Sequence, residues 1–138
     1  MKAIINVKGT QIVEGDENVT EITSEGTFEI KDGYPIMTYI ESDADGAKVT
    51  AKLSVLSDSS FVFERKGDIS TKMVIEVGSR HNCAYSTPYG ELMLGICGKS
   101  LENKANEGGG YIKLSYSIDI NSSLISENEI EINIKPIE

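Results

Sequence analysis

Strict period-two alternation constrains this chain more than any other feature. From Tyr111 to Asn121, Ile112, Leu114, Tyr116, Ile118 and Ile120 fall on one side, while Tyr111, Lys113, Ser115, Ser117 and Asp119 fall on the other. Successive side chains of a strand point to opposite faces, so this pattern describes an antiparallel strand with one face in a core and one in water. The closing stretch repeats it, with Ile130, Ile132 and Ile134 set against Glu129, Glu131, Asn133 and Lys135. No window of helical length carries a capped i, i+3, i+4, i+7 apolar stripe. The nearest approach, Lys99 to Asn106, has Leu101 as its one large apolar residue and reads as a brief strand or a loop.

Turn residues cut the rest into similar lengths. Glu14-Gly15-Asp16-Glu17-Asn18, Lys31-Asp32-Gly33, Asp43-Ala44-Asp45-Gly46, Ser57-Asp58-Ser59-Ser60, Lys66-Gly67-Asp68, Gly78-Ser79, Thr87-Pro88-Tyr89-Gly90, Asn106 to Gly110 and Asn121-Ser122-Ser123 all suit reversals. Between them lie about ten strand candidates, the second with an expected bulge at Gly26. A flat sheet that wide would expose two long edges, so it has either to close or to fold over, and closure is the simplest outcome. The expectation is one all-β domain over residues 1–138: an antiparallel up-and-down barrel of about 8–10 strands.

Composition excludes several functions. A net charge of −9 without a basic cluster argues against nucleic acid. No apolar run approaches the ~18 residues of a membrane span, and Met1 to Gln11 alternates where a signal peptide would be continuously apolar. A cytoplasmic setting without membrane contact is expected, as monomer or homodimer. Cys83 and Cys97 agree with it: if Thr87 faces Gly90 in a hairpin, Cys83 faces Leu94, Cys97 faces Arg80, and the thiols lie on opposite faces.

The residues able to do chemistry are few. One histidine, two separated cysteines and scattered carboxylates make no metal set, and no cofactor motif is present. His81 would need a nucleophile from another strand, because Cys83 on its own strand is too distant. Arg65 follows Phe61 and Phe63 at period two and so looks inward, which calls for a buried carboxylate, an anionic ligand group or a place at the barrel end. Arg80, Asn82, Ala84 and Ser86 share one face of the next candidate strand but one, and His81, Cys83, Tyr85 and Thr87 the other. A bulge at Gly78-Ser79 leaves open which set faces in, and the second suits a pocket better. Tyr39, Tyr85, Tyr89 and Tyr116 suit a cavity wall or an ordinary core with one wet end. The candidate ligand-binding set is Arg65, Arg80, His81, Tyr85 and Tyr116, with no catalytic residue and no metal ligand.

Several blocks, in order, carry a family resemblance: Lys8-Gly9-Thr10-Gln11, Gly26-Thr27-Phe28, Tyr39-Ile40-Glu41-Ser42, Arg65-Lys66-Gly67, Met73 through His81, Tyr85, Thr87-Pro88-Tyr89-Gly90 and Ser126-Glu127-Asn128. The chain resembles a family of small bacterial proteins, mainly from Firmicutes, classed as a domain of unknown function with a calycin-like or lipocalin-like β-barrel. The resemblance implies that fold over nearly the whole chain and implies no activity or catalytic residue. Lys99 to Gly110 departs from it, as a looser connection between two barrel strands. Ligand binding in the barrel follows by analogy of fold alone.

Three readings compete. A cytoplasmic barrel binding a small ligand with an anionic group comes first, and it requires a cavity of roughly 300 Å³ or more with an arginine facing in. A protein-interaction or structural module comes second, acting through an edge strand or an exposed patch around Tyr89, and requires a filled barrel with an apolar patch or a dimer contact. A hydrolase using His81 as base comes last and requires a partner residue within hydrogen-bonding reach.

Overall fold

Ten strands form where alternation and turn residues place them: β1 (Lys2–Val13), β2 (Asp16–Lys31), β3 (Tyr34–Ser42), β4 (Lys48–Ser57), β5 (Ser60–Lys66), β6 (Thr71–Glu76), β7 (Arg80–Thr87), β8 (Gly90–Asn106), β9 (Gly109–Ile120) and β10 (Ser123–Pro136). The computed structural model describes residues 1–42, 46–67, 70–87 and 89–137. The Asp43-Ala44-Asp45 part of one expected turn, Asp68 of another and Pro88 of a third lie outside the described residues.

The strands form one sheet in the order β6-β5-β4-β3-β2-β1-β10-β9-β8-β7. Each neighbouring pair is antiparallel, so the chain runs up and down, and β1 against β10 joins its two halves. Two-residue turns with both central residues at positive φ close the first two hairpins, Glu14-Gly15 (50° and 84°) and Asp32-Gly33 (54° and 86°). That geometry matches the right-handed twist of the flanking strands. The result is a nearly closed all-β barrel. Its exterior carries pairs such as Lys113–Glu129 at 3.2 Å and Lys99–Glu127 at 2.9 Å, with the apolar residues inside.

Two expectations are corrected. Lys99 to Asn106 is neither a loop nor a separate brief strand, but the second half of β8, paired with β9 after a register shift between Gly98 and Ser100. Its inward positions are Leu101, Asn103 and Ala105, too small and polar to show the alternation. At Gly26 both ladders pass without a register shift, so there is no bulge. A side chain there would fall on the Thr38 carbonyl, and glycine permits the close approach instead.

The barrel closes at a seam between β6 and β7, where side chains and single bonds replace a ladder. Gly78 N donates to Gly98 O at 3.1 Å, Cys83 Sγ to Lys72 O at 3.3 Å, and His81 Nε2 lies 3.1 Å from Glu76 Oε1. The hydrogen bond from His81, then one from Ser79, holds the Glu76 carboxyl below the usual carboxylate range. A depressed carboxylate stabilises the fold above its unfolded pKa, and that contribution is lost as pH falls through the folded one. The seam should therefore loosen below about pH 4. Protection of the Gly78 amide against hydrogen exchange, relative to its intrinsic rate at each pH, should fall on acidification in the wild type, while Glu76→Gln shows low protection already at neutral pH.

Along each strand the interior changes from dry core to open wall. Ile5, Phe28, Met37, Leu53, Phe61, Ile75, Ile96, Ile112, Leu114 and Ile132 are fully buried. Each such side chain contributes about 1.5–3 kcal/mol through burial. Further along the same strands, Val7, Ile22, Tyr39, Phe63, Met73, Leu94, Tyr116 and Ile130 line a cavity.

Candidate functional site

The cavity has a volume of about 570 Å³, and its mouth carries Gln11, Asn18, Glu41, Arg65 and Thr71. The walls follow from strand parity. On β5, Phe61 is core, Phe63 is wall and Arg65 is lip, each two residues on; on β3, Met37, Tyr39 and Glu41 repeat the sequence of core, wall and lip.

Arg65 faces the cavity as its spacing implies, and it sits at the barrel end with its side chain 47% exposed. Its carboxylate partner is Glu41: Arg65 Nε donates to Glu41 Oε1 at 3.0 Å. The guanidinium carbon stands 4.8 Å from the Phe63 ring centroid, so the ring supports the cation from below. Glu41 engages Nε, which leaves the Nη fork directed to other acceptors.

Two tyrosines place polar atoms deeper. Tyr39 and Tyr116 are 3% and 7% exposed, and burial pushes both hydroxyls up to about 12, so they remain neutral donors. Glu41 adds to the rise at Tyr39, whereas the Arg65 charge opposes it at both residues. One guanidinium thus acts on both hydroxyls. Neither has a hydrogen-bond partner among the described residues, and neither oxygen is sealed from the cavity. Both hydroxyls open onto the cavity and can donate to a ligand acceptor there.

The remaining expected site residues divide. Tyr85 lines the cavity near its mouth, on the face it shares with Cys83. Cys83 is buried, with its thiol pushed up by desolvation and donated to the Lys72 carbonyl, so it is wall rather than nucleophile. His81 shares that strand face, yet its ring turns to Glu76 at the seam and is not part of the cavity wall. Arg80 lies on the outer face. It crosses over Gly95, where a side chain would collide with the guanidinium, and grips Asp119 through Nε at 3.1 Å and Nη2 at 2.7 Å, with Nη1 on Asn82 at 3.0 Å. Arg80 and His81 therefore brace the barrel wall. Tyr89 is fully exposed and away from the cavity.

Glu41, Phe63 and Met73 belong to the site without having been singled out in the sequence. Glu41 was within reach of the same parity argument, two residues beyond Tyr39. The hairpin register came out as expected, with Thr87 opposite Gly90, Cys83 opposite Leu94 and Arg80 opposite Cys97, and both cysteines are free thiols. Among the described residues no three His, Cys, Asp or Glu side chains gather as a metal set.

A family model described as "Domain of unknown function (DUF1934)" matches residues 5–132. No curated protein matches the chain. Among solved structures, the crystal structure of the ywiB protein from Bacillus subtilis is similar, with a TM-score of 0.86 at 21% identity, covering 99% of this chain and 92% of that one. At that identity the likeness shows the fold.

Proposed function

The chain belongs to the DUF1934 family of domains of unknown function, and from that premise we propose that this barrel is a non-enzymatic, cytoplasmic binder of a small ligand with an apolar body and an anionic head. The observation that carries this reading is the pair of Tyr39 and Tyr116 hydroxyls, open to the cavity and without a partner among the described residues, under the field of Arg65. A volume of about 570 Å³ lies within the usual range of ligand pockets, roughly 300–1,000 Å³. Val7, Ile22, Met73 and Leu94 suit an apolar body. The two hydroxyls and the Nη fork can all donate toward one point, which suits a carboxylate. The free thiols accord with a reducing compartment.

The other readings have less support. A filled barrel was the requirement of the interaction module, and the cavity replaces it. The hydrolase reading needs His81 to take a proton from a nucleophile, whereas its side-chain partner is the Glu76 carboxylate, an acceptor.

Thermal-shift titration with octanoate, decanoate and 2-naphthoate, each beside the corresponding alcohol, tests the proposal. The acids should stabilise the wild type, by about 2.7 kcal/mol at a hundredfold excess over Kd. Arg65→Ala should weaken acid binding roughly 10- to 100-fold, the loss of one charge-assisted hydrogen-bonding group, and leave the alcohols unchanged. Equal response of the two proteins to the acids, or none in either, would overturn it.

A further inference from the structure

Strand β2 is longer than its partner on one side. It pairs with β1 from Asp16 to Thr27, but with β3 only from Gly26 to Lys31. From Asp16 to Glu25 its far edge meets no strand among the described residues, over roughly 33 Å at about 3.3 Å per residue. The Glu14-Gly15 turn fixes which groups face outward along that edge. Val13 and Asp16 close a two-residue hairpin and exchange hydrogen bonds, so Asp16, Asn18, Thr20, Ile22 and Ser24 direct their N–H and C=O to β1. Glu17, Val19, Glu21, Thr23 and Glu25 direct theirs to the open side.

Several of the usual edge defences are missing. There is no proline between Asp16 and Glu25, the β1 register runs unbroken, and no charged side chain points inward from Asn18, Thr20 or Ile22 at the cavity. The charges stand on the outer face, as Glu17, Glu21 and Glu25 alternating with Val19 and Thr23. Across the ladder Lys8 stands opposite Glu21, but Glu17 and Glu25 face Ile12 and Ile4 and have no cation there. An antiparallel second copy would lay its own glutamates beside these, which is unfavourable. A strand bearing cations would meet the opposite sign, on a chain with a net charge of −9.

We propose that the open edge of β2 takes an extended cationic peptide by strand addition, with Lys or Arg at the alternate positions beside Glu17, Glu21 and Glu25. The inner side chains of the added strand extend the wall beside Asn18, Thr20 and Ile22 across the cavity mouth. The proposal stands apart from the small-ligand reading, because it uses backbone groups and the outer face rather than Arg65 or the tyrosines.

The probe is an acetylated peptide of about ten residues alternating Lys and Val, matched in length to the edge and titrated by fluorescence anisotropy. Its control alternates Glu and Val. Saturable binding of the Lys peptide that weakens with salt is expected, with no binding of the Glu peptide. Val19→Pro removes an edge-facing N–H and leaves the β1 ladder whole, so it should keep the fold and weaken binding at least tenfold. The double variant Glu17→Lys/Glu25→Lys should transfer preference to the Glu peptide, and it decides the matter if Val19→Pro fails to fold. Equal binding of both peptides, or no binding of either, would overturn the proposal. A wild-type dimer abolished by Val19→Pro would do the same, by assigning the edge to a second copy.

Discussion

Phe61→Ala should remove about 3–5 kcal/mol of folding stability, the cost of emptying a fully buried aromatic site. Phe63→Ala, two residues along the same strand, should cost clearly less. Phe61 is 0% exposed and enclosed in the dry end of the barrel, whereas Phe63 already borders open space, so its removal forfeits fewer contacts. Urea denaturation measures both, with an unchanged m-value as the sign that the unfolded state is not altered. Against the roughly 5–15 kcal/mol that holds a domain together, the first loss is a large fraction. Comparable losses at both sites would mean that the cavity end is as well packed as the core, and the small-ligand reading would fail with it. Phe63→Ala also withdraws the ring beneath the Arg65 guanidinium, so it should weaken carboxylate binding while sparing most of the stability.

The contrast between these two residues also explains what the sequence discloses. Alternation reports which face a side chain takes, and that placed Arg65, Tyr116 and the isoleucines of β9 and β10 correctly, while the face of Tyr85 stayed open because a bulge at Gly78-Ser79 could invert it. It does not report height along the barrel axis, which depends on how all ten strands are staggered. Phe61 and Phe63 are indistinguishable to a period-two reading, yet one is core and the other is wall. His81 shows a further limit: its strand face was open in the sequence, and its ring turns aside to Glu76 at the seam. Arg80 escaped for another reason: its partner Asp119 lies across β8, reachable because Gly95 leaves room, and such a contact needs two registers at once. The second half of β8 was obscured because Asn103 and Ala105 occupy inward positions with little apolar signal. Glu41 was legible, and only the search for a partner to Arg65 stopped short of it.

Gly26→Val should destabilise the barrel by about 1–3 kcal/mol or more, although it adds apolar area to a strand. The reason lies in what the new side chain would meet. Its Cβ would fall on the Thr38 carbonyl, a backbone group directed at β2 and paired there with Thr27, and against Ile5 Cδ1 and Tyr39 Cβ, each at 3.0 Å. A side chain can turn away, but a carbonyl inside a sheet moves only if the strand moves. Gly9→Ala is the fitting comparison, since Gly9 also lies in a strand at the cavity and a Cβ there meets the Thr20 hydroxyl oxygen at 3.3 Å. That hydroxyl can rotate, so Gly9→Ala should be neutral or stabilising by up to about 1 kcal/mol as the unfolded chain loses freedom. Chemical denaturation of both variants would separate the two mechanisms, and equal effects would refute the close-approach account of Gly26. The position matters beyond stability. Gly26 is where β2 parts from β3, so the contact that excludes a side chain there holds Tyr39 against the cavity and begins the open edge. A valine that pushes β3 outward should therefore shift Tyr39 and weaken carboxylate binding as well, and a variant that loses stability while binding decanoate like the wild type would show that Tyr39 is not held in place from this side.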